Sequence, residues 1–403
     1  MTTVTQNFSL LSDRINSLSE SQTISMAKKA RELGAKGIKV INLSFGEPDF
    51  QTPQFIKDAA KKAIDDGYSF YTPVSGYPEL RSVIAEKLQR ENNLNWKAEN
   101  IVVSTGAKQS LANALLCLIN PGDEVIIFSP YWVSYSEMVK LAEGVPVLVH
   151  GSLENDFKPS AKQLEDAITS KTKMVMYSSP CNPTGAIFSK AELESFAKVL
   201  EGHENIFVMA DEMYEYIRFE DDFYSMGSIE SMRERTITVN GYSKGFAMTG
   251  WRVGYMAAAK WIADACDKIQ GQVTSGTCSI AQRAAMVAYT NLEPTKEMSK
   301  AFLRRRELIV GMLREIPGLK VPSPQGAFYV FPDVSFYFGK SYGDYKINTA
   351  DDLAMYILNE AHVSTVTGEA FGADNCLRIS FAASDENLTL ACDNIKKVLA
   401  RLV

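Results

Sequence analysis

Seven short apolar runs, at 101–104, 124–128, 145–149, 174–177, 206–209, 236–239 and 253–257, crowd the middle of this chain, with helical patterns between several of them. Several runs are unbroken Val, Ile and Met rather than apolar–polar alternation, the pattern of strands covered on both faces. Helices fit 108–118, 160–169 and 189–200, the last opened by Ser189-x-x-Glu192, a capping box. Strands that alternate with helices build a mostly parallel central sheet sandwiched by helices, so the fold class is α/β. Ligands of such sheets bind beyond the carboxyl ends of the strands.

The residues just past each strand are therefore the informative ones. Gly106-Ala107-Lys108 comes after the first run, Tyr131-Trp132 after the second, Asn182-Pro-Thr-Gly185 after the fourth, Asp211-Glu-Met-Tyr214 after the fifth and Lys244 after the sixth. These five groups are expected to meet in one crevice. Each has a chemical task open to it. Ser104-Thr-Gly106-Ala107 opens a helix with small residues, leaving backbone N–H groups free for an anion, although a generic strand-to-helix turn looks alike. Asp211 ends an apolar strand, where a carboxylate is costly unless a cation pairs with it. Lys244 sits on a turn among Gly, Ser, Phe, Ala and Met, so it is partly desolvated, a nucleophilic amine able to form a Schiff base. Arg252, eight residues on, carries a fixed charged fork suited to phosphate.

Elsewhere, helices are expected at 23–34, 55–65, 78–91, 261–271, 280–289, 295–312, 351–361 and 385–402, and strands at 40–43, 363–367 and within 323–330 and 376–381. Residues 1–18 read as an arm, the run Arg304-Arg-Arg-Glu307 as a solvated helix face, and 334–349 as irregular with no assigned role. A chain of 403 residues accommodates a large domain and a smaller one. The expected division is 1–47 as arm and part of the small domain, 48–295 as the large domain, and 296–403 as linking helix and C-terminal small domain. A net charge of −6 offers no basic field to nucleic acid or an anionic membrane, and no stretch is long and apolar enough to span a bilayer. Six cysteines without C-x-x-C spacing argue against a disulfide framework or a metal site, and with no leader pattern the expectation is a cytoplasmic protein.

The run Ser243 to Tyr255, S-K-G-F-A-M-T-G-W-R-V-G-Y, closely resembles the lysine motif of class I pyridoxal phosphate (PLP) aminotransferases, and the resemblance covers nearly the whole chain. It implies a large PLP-binding domain whose Lys244 carries the cofactor and serves as the catalytic acid and base, with Arg252, Gly106 and Ala107 at the phosphate. It implies further that Trp132 stacks on the ring, Asp211 pairs with the protonated ring nitrogen, and Asn182 and Tyr214 bond the ring's 3-oxygen. G-E-P-D-F places Gly46 by the substrate carboxylate, R-I-S-F places Arg378 on it, and Y-T-P-x-x-G makes Tyr71 reach the cofactor phosphate of a neighbouring subunit, hence a homodimer with shared sites.

The motifs T-G-A-K-Q, P-Y-W-V-S-Y and N-G-Y-S-K-G-F-A-M-T-G-W-R resemble most closely the bacterial-type aspartate aminotransferase subgroup. There, residues matching Lys108 and Ser21 engage the distal carboxylate, which implies ping-pong transfer from L-aspartate to 2-oxoglutarate. Members that also use prephenate tend to carry a lysine two positions before that serine, where this chain has Ser19. Prephenate or aromatic transamination therefore remains an alternative, as does a PLP-dependent lyase on the same fold, since Lys244, Asp211 and Arg252 serve the cofactor in either case. A regulator built on this fold would need a DNA-reading module, and the short N-terminal stretch supplies none.

Overall fold

The computed structural model describes residues 10–19, 22–220 and 223–403. Its largest sheet has seven strands: β1 Ile101–Ser104, β2 Glu124–Ser129, β3 Val145–His150, β4 Thr172–Ser178, β5 Phe207–Asp211, β6 Thr236–Gly241 and β7 Gly254–Ala257. They lie in the order β1-β7-β6-β5-β4-β2-β3. All neighbours are parallel except β7, which runs antiparallel to both β1 and β6. All seven runs form strands where apolar patterning puts them, and six of these, β1, β2, β4, β5, β6 and β7, are buried along almost their whole length. The edge strand β3 is largely solvated.

Helices cover both faces. Ala107–Leu118 and Lys260–Val273 pack together on one side, with Leu111, Ala114, Leu115, Ile262, Ala263 and Cys266 in the shared core. Lys190–Glu201 packs on the other face, with Leu193, Phe196, Ala197 and Leu200 against Ile126, Val175 and Val208 of the strands. Ser189 and Glu192 form the expected reciprocal cap. All six cysteines are free.

Smaller sheets gather the chain's two ends. Ile41–Asn42 pairs in parallel with Val363–Ser364, and a three-stranded antiparallel sheet joins Val366–Thr367, Leu377–Ser380 and Tyr329–Val330. The helix Glu293–Arg314 links these to the large sheet. The irregular stretch resolves into a 3-10 turn at Ser335–Tyr337 and a hairpin of Ser341–Tyr342 with Tyr345–Lys346, whose tyrosine rings pack on Tyr356.

Two expectations need correction. A helix at Ser134–Leu141 escaped the sequence reading because it is a single short element behind Pro130. The run Arg304-Arg-Arg-Glu307 is not uniformly a solvated face: Arg305 is only 7% exposed, its guanidinium forked onto Asp49 at 2.7 and 2.9 Å. Nothing in local sequence marks a partner 256 residues away.

Candidate active site

Five strand-ends and the turn before β7 feed one cavity of ≈ 330 Å³. Its lining includes Ala107 and Lys108 after β1, Trp132 after β2, Asn182 after β4, Asp211 and Tyr214 at the end of β5, Lys244 after β6 and Arg252 before β7. Tyr329 and Arg378 of the three-stranded sheet close it, with Gly46 from the stretch after Ile41–Asn42. The convergence expected of an open α/β sheet is thus realised, with the substrate-side residues drawn from the chain's two ends.

Lys244 lies half-buried at the floor, Nζ donating to the Gly46 carbonyl and 5.8 Å from the Tyr214 ring centroid. Desolvation lowers its pKa to about 8, with Arg378 and Arg252 pushing the same way against the opposing charges of Glu47 and Asp211. An amine of this kind is partly neutral at neutral pH and nucleophilic. Since neutral amine is the reactive form, timed acylation of the cofactor-free protein at Lys244, followed by peptide mass, is expected to reach half its maximal rate near pH 8. A midpoint at the ordinary lysine value of about 10.4 would mean that the amine is solvated.

Asp211 is buried at the other end of the cavity. Its Oδ2 accepts the Tyr135 hydroxyl at 2.7 Å and its Oδ1 the Met213 N–H at 3.1 Å. Burial raises its pKa, and these two bonds, with the Lys244 charge, only partly offset that cost. A cationic ligand group facing it would complete the compensation. Tyr135 is the functional residue that sequence reasoning missed. It stands three positions after Trp132 on the unrecognised helix, its ring edge-on to Trp132 at 5.7 Å.

The part of the cavity after β1 is built from backbone and Arg252. Gly106 has φ of 81°, and a Cβ there would fall 2.3 Å from Arg252 Nη2, so glycine is required for the guanidinium to lie across the helix start. Arg252 itself has a left-handed backbone (φ 55°), pinned by its Nη1 bond to the Thr249 carbonyl at 2.8 Å. Lys108 reaches over the Trp132 ring at 4.8 Å and is exposed at the cavity mouth.

Arg378 is buried and clamped. Nη1 donates to Asn182 Oδ1 at 3.0 Å and Nη2 to the Ser44 carbonyl at 2.7 Å, while the guanidinium lies against the Tyr329 and Phe371 rings at 4.5 and 4.8 Å. Its Nε has no hydrogen-bond partner among the described residues. Tyr329 in turn shares a 2.7 Å hydrogen bond with Tyr214, and its hydroxyl stands 2.8 Å from where a Cβ on Gly46 would lie. No carboxylate among the described residues pairs with this guanidinium, so a ligand carboxylate fits it.

The charge inventory tests what ligand fits. Four cations, Lys108, Lys244, Arg252 and Arg378, line the cavity against one carboxylate, Asp211. A flat ring beside Trp132 fits, with a phosphate toward Arg252, a basic ring nitrogen toward Asp211 and a carbonyl for Lys244. Tyr71 does not line this cavity: its side chain is 98% exposed, beside Phe70 at 82%. Ser21 lies outside the described residues.

The profile of the family described as aminotransferase class I and II matches residues 38–395. The chain is 48% identical over 396 residues to the aspartate/prephenate aminotransferase of Cereibacter sphaeroides, covering 97% of this chain and 99% of that one. It is 43% identical over 399 residues to the aspartate aminotransferase of Pinus pinaster, covering 97% of this chain and 81% of that one. Among solved structures, the aspartate aminotransferase of Rhizobium meliloti superposes with a TM-score of 0.95 at 41% identity, covering 98% of this chain and 99% of that one. The Thermus thermophilus aspartate aminotransferase with maleate superposes at 0.91 and 39% identity, covering 96% and 99%.

Proposed function

Since the chain belongs to the class I and II aminotransferases, we propose that it moves the amino group of L-aspartate to 2-oxoglutarate with pyridoxal 5'-phosphate as cofactor, in a ping-pong cycle. The observation that carries this reading is the half-buried Lys244 amine among Arg252, Arg378 and Asp211 in one cavity. The names of the Cereibacter, Pinus and Rhizobium relatives supply the substrate class.

Lys244 would hold the cofactor's carbonyl carbon, Arg252 and the Gly106-Ala107 backbone its phosphate, Trp132 its ring face, Asp211 its ring nitrogen, and Asn182 and Tyr214 its 3-oxygen. When bound, the cofactor supplies an electron-withdrawing ring that makes the amino acid's Cα–H acidic. Arg378 takes the α-carboxylate bidentately beside Gly46, fixing the Cα proton toward Lys244. Lys244 Nζ would take that proton and hold it for return. Its depressed pKa suits it to both halves of that exchange near neutral pH. Asp211 keeps its charge for the ring nitrogen because Tyr135 and the Met213 N–H stabilise the anion.

The distal carboxylate of a dicarboxylic substrate meets Lys108 at the mouth, with Ser21 as its second contact. The exposed Phe70 and Tyr71 favour a homodimer in which Tyr71 completes the partner's phosphate site. Residues 48–295 make up the cofactor-binding domain, 1–47 an arm and part of the smaller domain, and 296–403 the linking helix and the rest of the smaller domain. The protein acts in the cytoplasm; among the described residues no helix is long and apolar enough to cross a membrane.

Coupled turnover of the PLP-loaded protein with L-aspartate and 2-oxoglutarate tests the reading. Lys108→Ala is expected to raise KM for both dicarboxylates by about tenfold to a hundredfold, the worth of a lost charge-assisted hydrogen bond, while leaving alanine turnover unchanged. An equal loss with alanine would remove Lys108 from the distal site. The Cereibacter relative's name favours prephenate as a second acceptor. Prephenate turnover without aspartate turnover would overturn the main assignment.

A further inference from the structure

Residues 43–53 cross between the small sheets and the large one without regular secondary structure, yet they supply much of the site's substrate side. The Ser44 carbonyl accepts from Arg378, the Gly46 carbonyl from Lys244, Glu47 accepts Thr249 Oγ1 at 3.0 Å, and Thr52 Oγ1 donates to the Ala247 carbonyl at 2.7 Å. Backbone bonds from Leu43 to Ser364 and Ser380 hold its start, but past them, with Pro48 in its middle and no ladder along it, the segment keeps its place through bonds that involve side chains.

Its anchor from the linking helix is Arg305. Both Nη atoms grip the Asp49 carboxylate, Nε reaches Asp385 Oδ1 at 3.4 Å, and the guanidinium lies against both Phe50 and Phe302, at 5.2 and 5.7 Å from their centroids. Arg304 separately forks onto Asp385 at 3.0 Å through Nε and Nη2. Three elements, the 43–53 strap, the linking helix and the start of the last helix, thus meet at one planar cation. Packed rings continue inward from it: Phe50 on Phe302, Phe302 on Phe328, and Phe328 on both Tyr329 and Tyr214 of the site. A buried ion pair is weak evidence of stability, since apolar residues of similar volume serve as well, whereas a bidentate fork fixes direction and distance.

The geometry points to Arg305 and Asp49 as positioning residues for amino-acid binding: their fork sets the strap so that the Ser44 and Gly46 carbonyls hold Arg378 and Lys244 in the arrangement that receives the substrate α-carboxylate. The inference rests on the aminotransferase reading above, but not on aspartate in particular, because every amino-acid substrate presents that carboxylate.

Arg305→Met keeps the stem volume and the contact with Phe50 and Phe302 but removes the fork; Asp49→Asn keeps the shape and removes the charge; Arg305→Lys keeps the charge without the fork. In the PLP-loaded enzyme, each is expected to raise KM for L-aspartate by about tenfold to a hundredfold, the scale of a small misplacement, with kcat within about threefold and the cofactor Kd within about twofold of wild type. Arg305→Lys is expected to fall between Met and wild type in KM. Should Arg305→Met fail to fold, Asp49→Asn carries the comparison. An unchanged KM in the folded variants overturns the inference. So does a parallel loss of KM, kcat, cofactor affinity and melting temperature, which is what a purely structural role gives. If wild type binds PLP but does not turn over L-aspartate, the substrate assignment fails instead, and the same variants are read by the amino-acid concentration that half-saturates the change in cofactor absorbance.

Discussion

Lys244→Ala is expected to lower kcat/KM by more than ~10⁴-fold, the upper end of what positioned proton transfer alone contributes. That factor is about 5.4 kcal/mol of barrier. In the proposed function the amine has two duties, carrying the cofactor and moving the Cα proton, and no second amine among the described residues shares its floor position: Lys108 lies at the mouth over Trp132. The variant should still bind PLP, because Arg252, the Gly106 backbone, Trp132 and Asp211 are untouched. Oxaloacetate formation followed beside cofactor absorbance separates these two outcomes. A residual rate within tenfold of wild type would show that Lys244 is not the group that moves the proton.

Asp211→Asn should act in opposite directions on activity and on stability. Its carboxylate is buried and its pKa is raised by that burial. Protons are therefore held more tightly by the folded protein than by the unfolded chain. The cost of its charge grows as pH rises from the ordinary carboxylate range through its raised pKa. Removing that charge should raise the melting temperature of the cofactor-free protein. In the loaded enzyme the same change strips the partner from a buried cation. Losing one member of a buried pair costs about 2–5 kcal/mol, or ~30- to ~5000-fold, in cofactor affinity and kcat together. A cofactor-free Asp211→Asn protein that melts lower than wild type would mean that the bonds from Tyr135 and Met213, rather than burial, decide this carboxylate's energetics.

The difference between what the sequence disclosed and what it hid has a physical pattern. Lys244, Asp211, Asn182, Trp132 and Ala107 could be placed together before any coordinates because each lies just past an apolar strand, and the edge of a parallel sheet gathers such positions by geometry alone. Arg252 joined them through its charged fork eight residues past Lys244, within the S-K-G-F-A-M-T-G-W-R motif. Tyr135 was invisible: the helix that presents it is short, and its bond to Asp211 spans 76 residues. Arg378 was legible through its R-I-S-F setting, whereas Arg305 was not, since a run of three arginines on a charged helix has the composition of a wet surface. Burial of one of the three is decided by Asp49, Phe50 and Phe302, two of which lie on a segment without periodicity. Tertiary partners brought in from distant chain, rather than local pattern, set what was missed.

The parallel pairing of Ile41–Asn42 with Val363–Ser364 also has a meaning in time. A ribosome delivers residues 101–257 as one stretch, so the seven-stranded sheet with Lys244, Asp211 and Arg252 can close on what has already emerged. The strap bearing Gly46 has left the tunnel long before, but its strand partner at 363–364 and the hydrogen bond from Ser380 to the Leu43 carbonyl do not yet exist. At ~5–20 residues per second, these arrive on the order of 5–20 s after residue 257. The nascent chain therefore acquires the floor that takes the cofactor first and the wall that takes the amino acid last.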